Sequence, residues 1–314
     1  MAWTSERIPT QRGRIAIVTG ANGGLGLATA RELARKGAHV IMAARNRDKA
    51  GEARRTIEAV VPEADLEIRE LDLASLDSVR AFANGIMADH GRIDLLINNA
   101  GVMGIPEQAT ADGFEMQFGV NHLGHFVLTC RLLPALLKAP AARAVSVTSF
   151  ARYAGRPVDP DNPHLRGRYS PWRAYNQSKL ANVHFAVELQ RRLAAAGASV
   201  ASLVADPGLS HTDLQARSVR ETGGGWSQRF WHVLARHAGM SPDGGARPHL
   251  RAATDTEARG GELYAPRWMV FGPPVRRRLS GRSLDRDSAR TLWETSERET
   301  GERFDVAGMV AAAR

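Results

Sequence analysis

The chain has 314 residues, 43% hydrophobic and 24% charged, the composition of an ordinary soluble globular protein. Its single cysteine, Cys130, excludes an internal disulfide, and no apolar run approaches the ~20 residues needed to cross a bilayer. The net charge of +9 comes from scattered arginines, with one local cluster at Arg276-Arg277-Arg278 and Arg282, so it reads as a solvated basic surface rather than a nucleic-acid site.

The N-terminus, Met1 to Arg7, lacks the apolar core of a secretory signal. A cytoplasmic location without stable membrane insertion is therefore expected. Arg14 to Val18 is a short apolar run and reads as a buried first strand. It leads into Thr19-Gly20-Ala21-Asn22-Gly23-Gly24-Leu25-Gly26 and a helical stretch from Leu27 to Lys36. Strand, glycine-rich turn and helix form the opening unit of a dinucleotide-binding fold. The glycines let the backbone approach a pyrophosphate, and the helix N-terminus supplies N–H donors and a positive dipole. The literal G-x-G-x-x-G pattern is absent because Asn22 occupies its second glycine. The loop fits T-G-x-x-x-G-x-G and T-G-x-x-G-x-x-G equally. Gly37 closes the helix. Ala38 to Ala43 is the second strand, followed by Ala44-Arg45-Asn46-Arg47 with no carboxylate until Asp48. A carboxylate at this point would bind the 2′-hydroxyl of NAD, whereas an arginine accommodates a 2′-phosphate. Arg45 is read as that phosphate ligand, and NADP(H) is expected over NAD(H).

The alternation continues with a helix over Asp48–Val60, a strand over Leu66–Leu71 ending at Asp72, and a helix from Ser75 to about Asp89. Ile93 to Ile97 leads into Asn98-Asn99-Ala100-Gly101. Phe114 to Leu137 reads as a long helix interrupted late by Pro134. Ala144–Thr148 is a fifth strand ending at Ser149, and Ser199–Ala205 a sixth. The pattern predicts an α/β chain: a Rossmann-type doubly wound parallel sheet, helices on both faces, and a variable C-terminal cap. Ligands in such sheets bind at the carboxyl ends of the strands. Gly20–Gly26, Arg45, Asp72, Asn99, Ser149 and Pro207 all fall there. The whole chain reads as one domain, with a cofactor and catalytic core over 14–212 and a substrate-side extension over 213–314. In that extension Trp226, Phe230, Trp231 and Leu234 recur at helical spacing, as a lid, a contact surface or core would. Glu262–Ala265 fits a last strand, and the charged tail after Pro274 holds a helical stretch near Ser288–Arg298.

Tyr175 and Lys179 stand four apart at the start of a helical run reaching Leu193, so they share a face one turn apart. An ammonium beside the phenol is expected to lower its pKa from the usual ~10. Such a tyrosine can pass a proton to or from a substrate oxygen, and an oxidative rate is expected to rise with pH through that lowered value.

Together these motifs resemble the short-chain dehydrogenase/reductase superfamily. The residues that carry the resemblance are Thr19-Gly20-x3-Gly24-x-Gly26, Asp72, Asn98-Asn99-Ala100-Gly101, Asn121, Ser149, Tyr175-x3-Lys179 and Pro207-Gly208-x3-Thr212. Val120 to Phe126 and Asn176 to Asn182 are similar to the retinol-dehydrogenase-like subgroup. The resemblance implies four catalytic residues. Tyr175 would be the acid/base, and Lys179 would tune it and hold the nicotinamide ribose. Ser149 would bond the substrate oxygen. Asn121, at a distortion in its helix, would hold a water that relays protons. It implies cofactor contacts from Thr19, Gly20, Asn22, Gly24, Leu25, Gly26, Arg45, Asp72, Leu73, Asn99, Ala100, Gly101, Tyr175, Lys179, Pro207, Gly208 and Thr212. A small alcohol or carbonyl substrate and a homodimer or homotetramer are expected. One departure stands out: Ser149 lies 26 positions before Tyr175, about twice the family's common spacing. The extra residues include Pro157–Pro163, which reads as a loop inserted over the site. Ser146 and Ser170 fit the serine role less well. His122 and His125 have no third ligand at a useful spacing, so no metal is expected. Cys130 reads as a buried apolar residue. The reading is an NADP(H)-dependent oxidoreductase of a lipophilic alcohol or carbonyl; a cofactor-binding regulator on the same fold is the alternative.

Overall fold

The computed structural model describes residues 2–210 and 239–313. Its centre is an eight-stranded sheet in the order β3-β2-β1-β4-β5-β6-β7-β8. The strands are β1 Ile15–Thr19, β2 His39–Ala44, β3 Asp65–Glu70, β4 Leu95–Asn98, β5 Arg143–Val147, β6 Ala201–Ala205, β7 Leu263–Pro266 and β8 Pro274–Arg277. All neighbours pair in parallel except β7 and β8, where Leu263 faces Arg277 and Pro266 faces Pro274. The predicted strands form, with boundaries moved by one or two residues. β8 was not expected, because Pro274-Val275-Arg276-Arg277 carries one apolar non-proline side chain and no alternation.

The sheet separates two cores, and successive residues of the central strands alternate between them. Ile17, Ile41 and Leu96 pack on one face; Ala16, Val18, Val40, Met42, Leu95 and Ile97 pack on the other. The second face is covered by α1 Gly24–Arg35, α2 Arg47–Glu58 and, among the elements after β6, α7 Pro242–Thr254. The first is covered by α3 Leu76–Asp89, α5 Gly124–Leu137, α6 Pro171–Ala195, α8 Arg286–Thr300 and α9 Val306–Ala312. Trp293 of α8 closes that layer, its ring 5.1 Å from Phe126 and 6.0 Å from Phe185.

The long helix expected from Phe114 is three pieces: α4 Met116–Phe118, a π-helical turn Gly119–Leu123, and α5. Glu115 starts it, its carboxylate accepting from the amides of Gln117 at 2.8 Å and Phe118 at 2.6 Å. Pro134 lies inside α5 without ending it, although it cannot donate a backbone bond to the Cys130 carbonyl one turn before it. Among the described residues, no helix is long and apolar enough to cross a membrane.

Candidate active site

The strand order reverses between β1 and β4, which opens the crevice where ligands of such sheets bind. Thr19, the last residue of β1, knits the two sides together. Its Oγ1 accepts from the amides of Asn99 and Ala100, both at 2.9 Å, and its carbonyl accepts from Asn99 Nδ2 at 2.8 Å. The glycine loop then folds tightly over this junction. Gly20 adopts φ +67° and Gly24 φ +50°, a region that favours glycine. A methyl group on Gly26 would stand 2.2 Å from the Gly20 carbonyl oxygen and 2.7 Å from Asn99 Nδ2.

The residues present fit a dinucleotide. Gly23, at the N-cap of α1, supplies no side chain to the leading amides of the helix, and a methyl group there would meet nothing within 4 Å. An uncapped helix N-terminus leaves amides free to bind a phosphate. Asn22 lies half-buried in the same loop, and Leu25 half-buried in the first turn of α1. Arg45 is exposed one residue beyond β2, and Asn46 caps α2 by accepting from Lys49 N at 2.9 Å. Asp72 is half-buried beyond β3, where its carboxylate accepts from Ala74 N at 2.9 Å. Leu73 is buried against Gly124.

Asn121, Ser149, Tyr175 and Lys179 come from three segments, the last two from α6, and meet at the same end of the sheet. Asn121 sits at the centre of the π-helical turn, as the resemblance implied. Its Oδ1 accepts from Val102 N at 2.8 Å, and its Nδ2 donates to Val102 O and to Ser178 Oγ, both at 2.9 Å. Ser178 Oγ donates to the Tyr175 carbonyl at 2.8 Å. The carbonyl of Asn121 accepts from His125 Nδ1 at 3.1 Å, which leaves His125 Nε2 to accept from Thr19 Oγ1 at 3.0 Å. A methyl group on Gly101 would meet Asn121 Oδ1 at 2.9 Å and Lys179 Nζ at 3.5 Å, so those two groups share the space a side chain would fill. Lys179 Nζ lies 5.6 Å from the Tyr175 ring centre and 3.5 Å from the Val147 carbonyl. Helix α6 is held to β5 by Thr148 Oγ1, which donates to the Lys179 carbonyl at 2.6 Å, and by Asn182 Nδ2, which donates to the Val147 carbonyl at 2.9 Å.

The expected lowering of the tyrosine pKa is not what this arrangement gives. Burial pushes the Tyr175 phenol up to about 12; a hydrogen bond from the Ser149 side chain opposes the rise and the Asp206 carboxylate adds to it. Burial pushes Lys179 down to about 8, against the pull of Asp206. An ammonium one turn away would lower it, but desolvation dominates for two groups only 5% exposed.

Pro207 is buried beyond β6, and Gly208 follows at φ +67°, where a methyl group would meet the Val270 carbonyl at 2.6 Å. Thr212 and the stripe Trp226, Phe230, Trp231 and Leu234 lie outside the described residues. The stretch read as a loop over the site is tied to α6 and α8: Gln177 Nε2 donates to the Pro163 carbonyl at 2.8 Å, and Arg298 to the Pro160 carbonyl at 2.6 Å. His122 is buried and pairs with Ser296 Oγ at 2.7 Å. Among the described residues, the grouping with metal-ligand spacing is His39, Glu67 and His90. It lies at the opposite, amino-terminal edge of the sheet, where Asp65 and Arg69 already engage it.

Sequence reasoning missed Ser178, the bridging role of His125, and a buried ion pair between Arg152 and Asp206. Ser178 had one available signal, its place one residue before Lys179 on a helix. Arg152 and Asp206 are 54 positions apart and gave none.

A sequence profile described as short chain dehydrogenase matches residues 14–223. The chain is 40% identical to human (Homo sapiens) retinol dehydrogenase 13, over 92% of this chain and 85% of that protein. It is 42% identical to mouse (Mus musculus) polyprenol dehydrogenase, over 94% and 86%. It is 46% identical to mouse retinol dehydrogenase 11, over 90% and 85%. An uncharacterized protein of Mycobacterium paratuberculosis superposes with a TM-score of 0.80 at 42% identity, over 97% of this chain and 99% of that one. A Beutenbergia cavernae protein solved with bound NADP superposes with a TM-score of 0.63 at 26% identity, over 81% and 95%.

Proposed function

Since the chain belongs to the short-chain dehydrogenase family and is an oxidoreductase that interconverts alcohols and carbonyls, we propose that it uses NADP(H) and acts on a lipophilic substrate. The observation that carries the reading is the meeting of Asn121, Ser149, Tyr175 and Lys179 beside the glycine loop. A nicotinamide, when bound, supplies or accepts the hydride, and the protein positions it.

Gly20–Gly26 and the first turn of α1 would hold its phosphates, and Lys179 its ribose. Arg45 supports the 2′-phosphate: it is exposed at the carboxyl end of β2, it makes no ion pair among the described residues, and the sequence after β2 offers no carboxylate until Asp48. The Beutenbergia cavernae neighbour, described as NAD(P) dependent, holds NADP at low occupancy, which fits a nicotinamide of either kind. Ser149 would donate a hydrogen bond to the substrate oxygen. Tyr175, protonated when the site is empty, would give its proton to that oxygen in carbonyl reduction and take it back in alcohol oxidation. The buried Asn121 carboxamide fixes the floor next to Lys179. A lipophilic substrate is supported by the names of the relatives, retinol and polyprenol dehydrogenases.

The test is a panel of apolar aldehydes, ketones and alcohols with NADPH, NADH and their oxidised forms, followed by absorbance. Turnover of apolar carbonyls with NADPH, several-fold faster than with NADH, is the expected result. No turnover with either cofactor would overturn the reading.

A further inference from the structure

The ion pair between Arg152 and Asp206 is almost completely removed from water, its side chains 3% and 2% exposed. It joins two segments that flank the reacting centre. Arg152 lies three residues after Ser149, in a 3₁₀ turn over Phe150–Ala154. Its backbone amide donates to the Ser149 carbonyl at 3.0 Å, and its Nη1 donates to the same carbonyl at 3.1 Å and to Asp206 Oδ2. Its Nη2 donates to the Tyr153 hydroxyl at 3.0 Å, and the guanidinium lies 4.3 Å over the Tyr153 ring. Asp206 is the residue before Pro207. Its Oδ1 accepts from Gly208 N at 2.9 Å, and its own amide donates to the Tyr264 carbonyl of β7 at 2.9 Å.

We propose that Arg152 and Asp206 are positioning residues of the catalytic site: their buried pair locks the loop bearing Ser149 to the turn bearing Pro207 and Gly208, and keeps a fixed negative charge beside the Tyr175–Lys179 end of α6. The proposal rests on the reading of Ser149, Tyr175 and Lys179 as the catalytic group. A buried ion pair is seldom kept for stability, because desolvation offsets much of its Coulomb energy. Placement next to a proton-transferring pair gives it another use.

The charge has a definite sign of action. Asp206 favours the ammonium of Lys179 and disfavours the phenolate of Tyr175. Both effects keep protons on the pair, the state that can give one to a carbonyl oxygen. The other groups facing the pair do not compete. From α5 and α7, His125 and His249 are held neutral by burial, at about 4 and about 3. Ser149 and Trp172 carry no charge, and Arg152 is paired to Asp206 through Nη1.

The decisive experiment needs neither cofactor nor substrate. The chain contains four lysines, Lys36, Lys49, Lys138 and Lys179, so a lysine ¹³Cε-labelled sample gives four NMR titrations, with Lys179 assigned through Lys179→Arg. In Asp206→Asn the Lys179 midpoint is expected to fall by about half a pH unit or more. Because an unpaired buried guanidinium can prevent folding, the doubly neutral Arg152→Gln/Asp206→Asn protein is measured beside it, with a smaller fall in the same direction expected, since the Arg152 charge goes too. In the same two proteins the alkaline limb of kcat for carbonyl reduction is expected to move to lower pH, and Arg152→Lys is expected to keep the wild-type limb. An unmoved Lys179 midpoint in a folded charge-neutral protein overturns the proposal, even where Tm drops. Should the wild-type protein lack redox activity, the midpoint still reads the effect of Asp206, and it is the functional reading that fails.

Discussion

Asn121 and Ser178 join the π-helical turn to the catalytic helix through a buried hydrogen bond of 2.9 Å from the carboxamide to the hydroxyl. Ser178 in turn donates to the carbonyl of Tyr175. The two catalytic segments are thus fixed relative to one another by a side chain that itself touches no reacting group.

Ser178→Ala should therefore affect both folding and rate. Removing the hydroxyl leaves Asn121 Nδ2 with one partner fewer in a dry site, a loss of about 1–3 kcal/mol. Turnover should fall roughly tenfold as Asn121 loosens, by analogy with the sensitivity of catalysis to small misplacement. Thermal unfolding and kcat on the same sample check both. Unchanged kcat with reduced Tm would limit Ser178 to a structural part.

Tyr175→Phe keeps the ring and removes the hydroxyl. A positioned acid/base contributes typically about 10²–10⁴-fold, and kcat should drop by that factor while NADPH affinity holds. Lys179→Ala should lower both, since the ammonium is expected to serve cofactor and proton chemistry together. Stopped-flow cofactor binding beside steady-state rates separates the two variants.

Burial of Lys179 makes folding pH-dependent. Its folded value is about 8 against an ordinary 10.5. Between these, the unfolded chain holds a proton that the folded chain lacks, so stability rises with pH from about 8. Below that window the buried ammonium costs about 3 kcal/mol by the same linkage. Tyr175 acts in the opposite direction, but only above its ordinary value of 10, where the unfolded chain ionises first. Lys179→Met should consequently be more stable than the wild type at pH 7, with the gap narrowing towards pH 9.5. Urea denaturation at the two pH values measures it.

Arg45→Asp should weaken NADPH binding and shift preference towards NADH, because a carboxylate repels a 2′-phosphate and accepts a bond from a 2′-hydroxyl. Tighter or equal NADPH binding by the variant would remove Arg45 from the cofactor site.

Strands β1, β2, β4, β5 and β6 were legible because each is a short apolar run bounded by turn residues. The glycine loop was legible because phosphate chemistry demands small residues at fixed offsets. β8 was not, since its strand conformation comes from pairing with β7 rather than from Pro274–Arg277 itself. Local spacing placed Tyr175 and Lys179 on one helix face, yet it gave the wrong direction for the tyrosine, because desolvation depends on what the rest of the chain packs around it. Arg152 and Asp206 illustrate the same limit: two charges distant in sequence reveal their use only when both are seen to be dry.

The π-helical turn at Gly119–Leu123 also acts as a phase setter. A π turn amounts to one extra residue wound into a helix, and one residue is about 100° of rotation. Phe118 ahead of it and Phe126 behind it both point into the same core, although they would be rotated apart if the bulge were ironed out. Winding the same residues as a regular helix would swing everything before the turn by more than a quarter of a circle, whereas deleting one residue there would leave Phe118 and Phe126 on one face. A one-residue deletion at this point thus spares the packing on either side and is felt at the turn itself, where Asn121 sits.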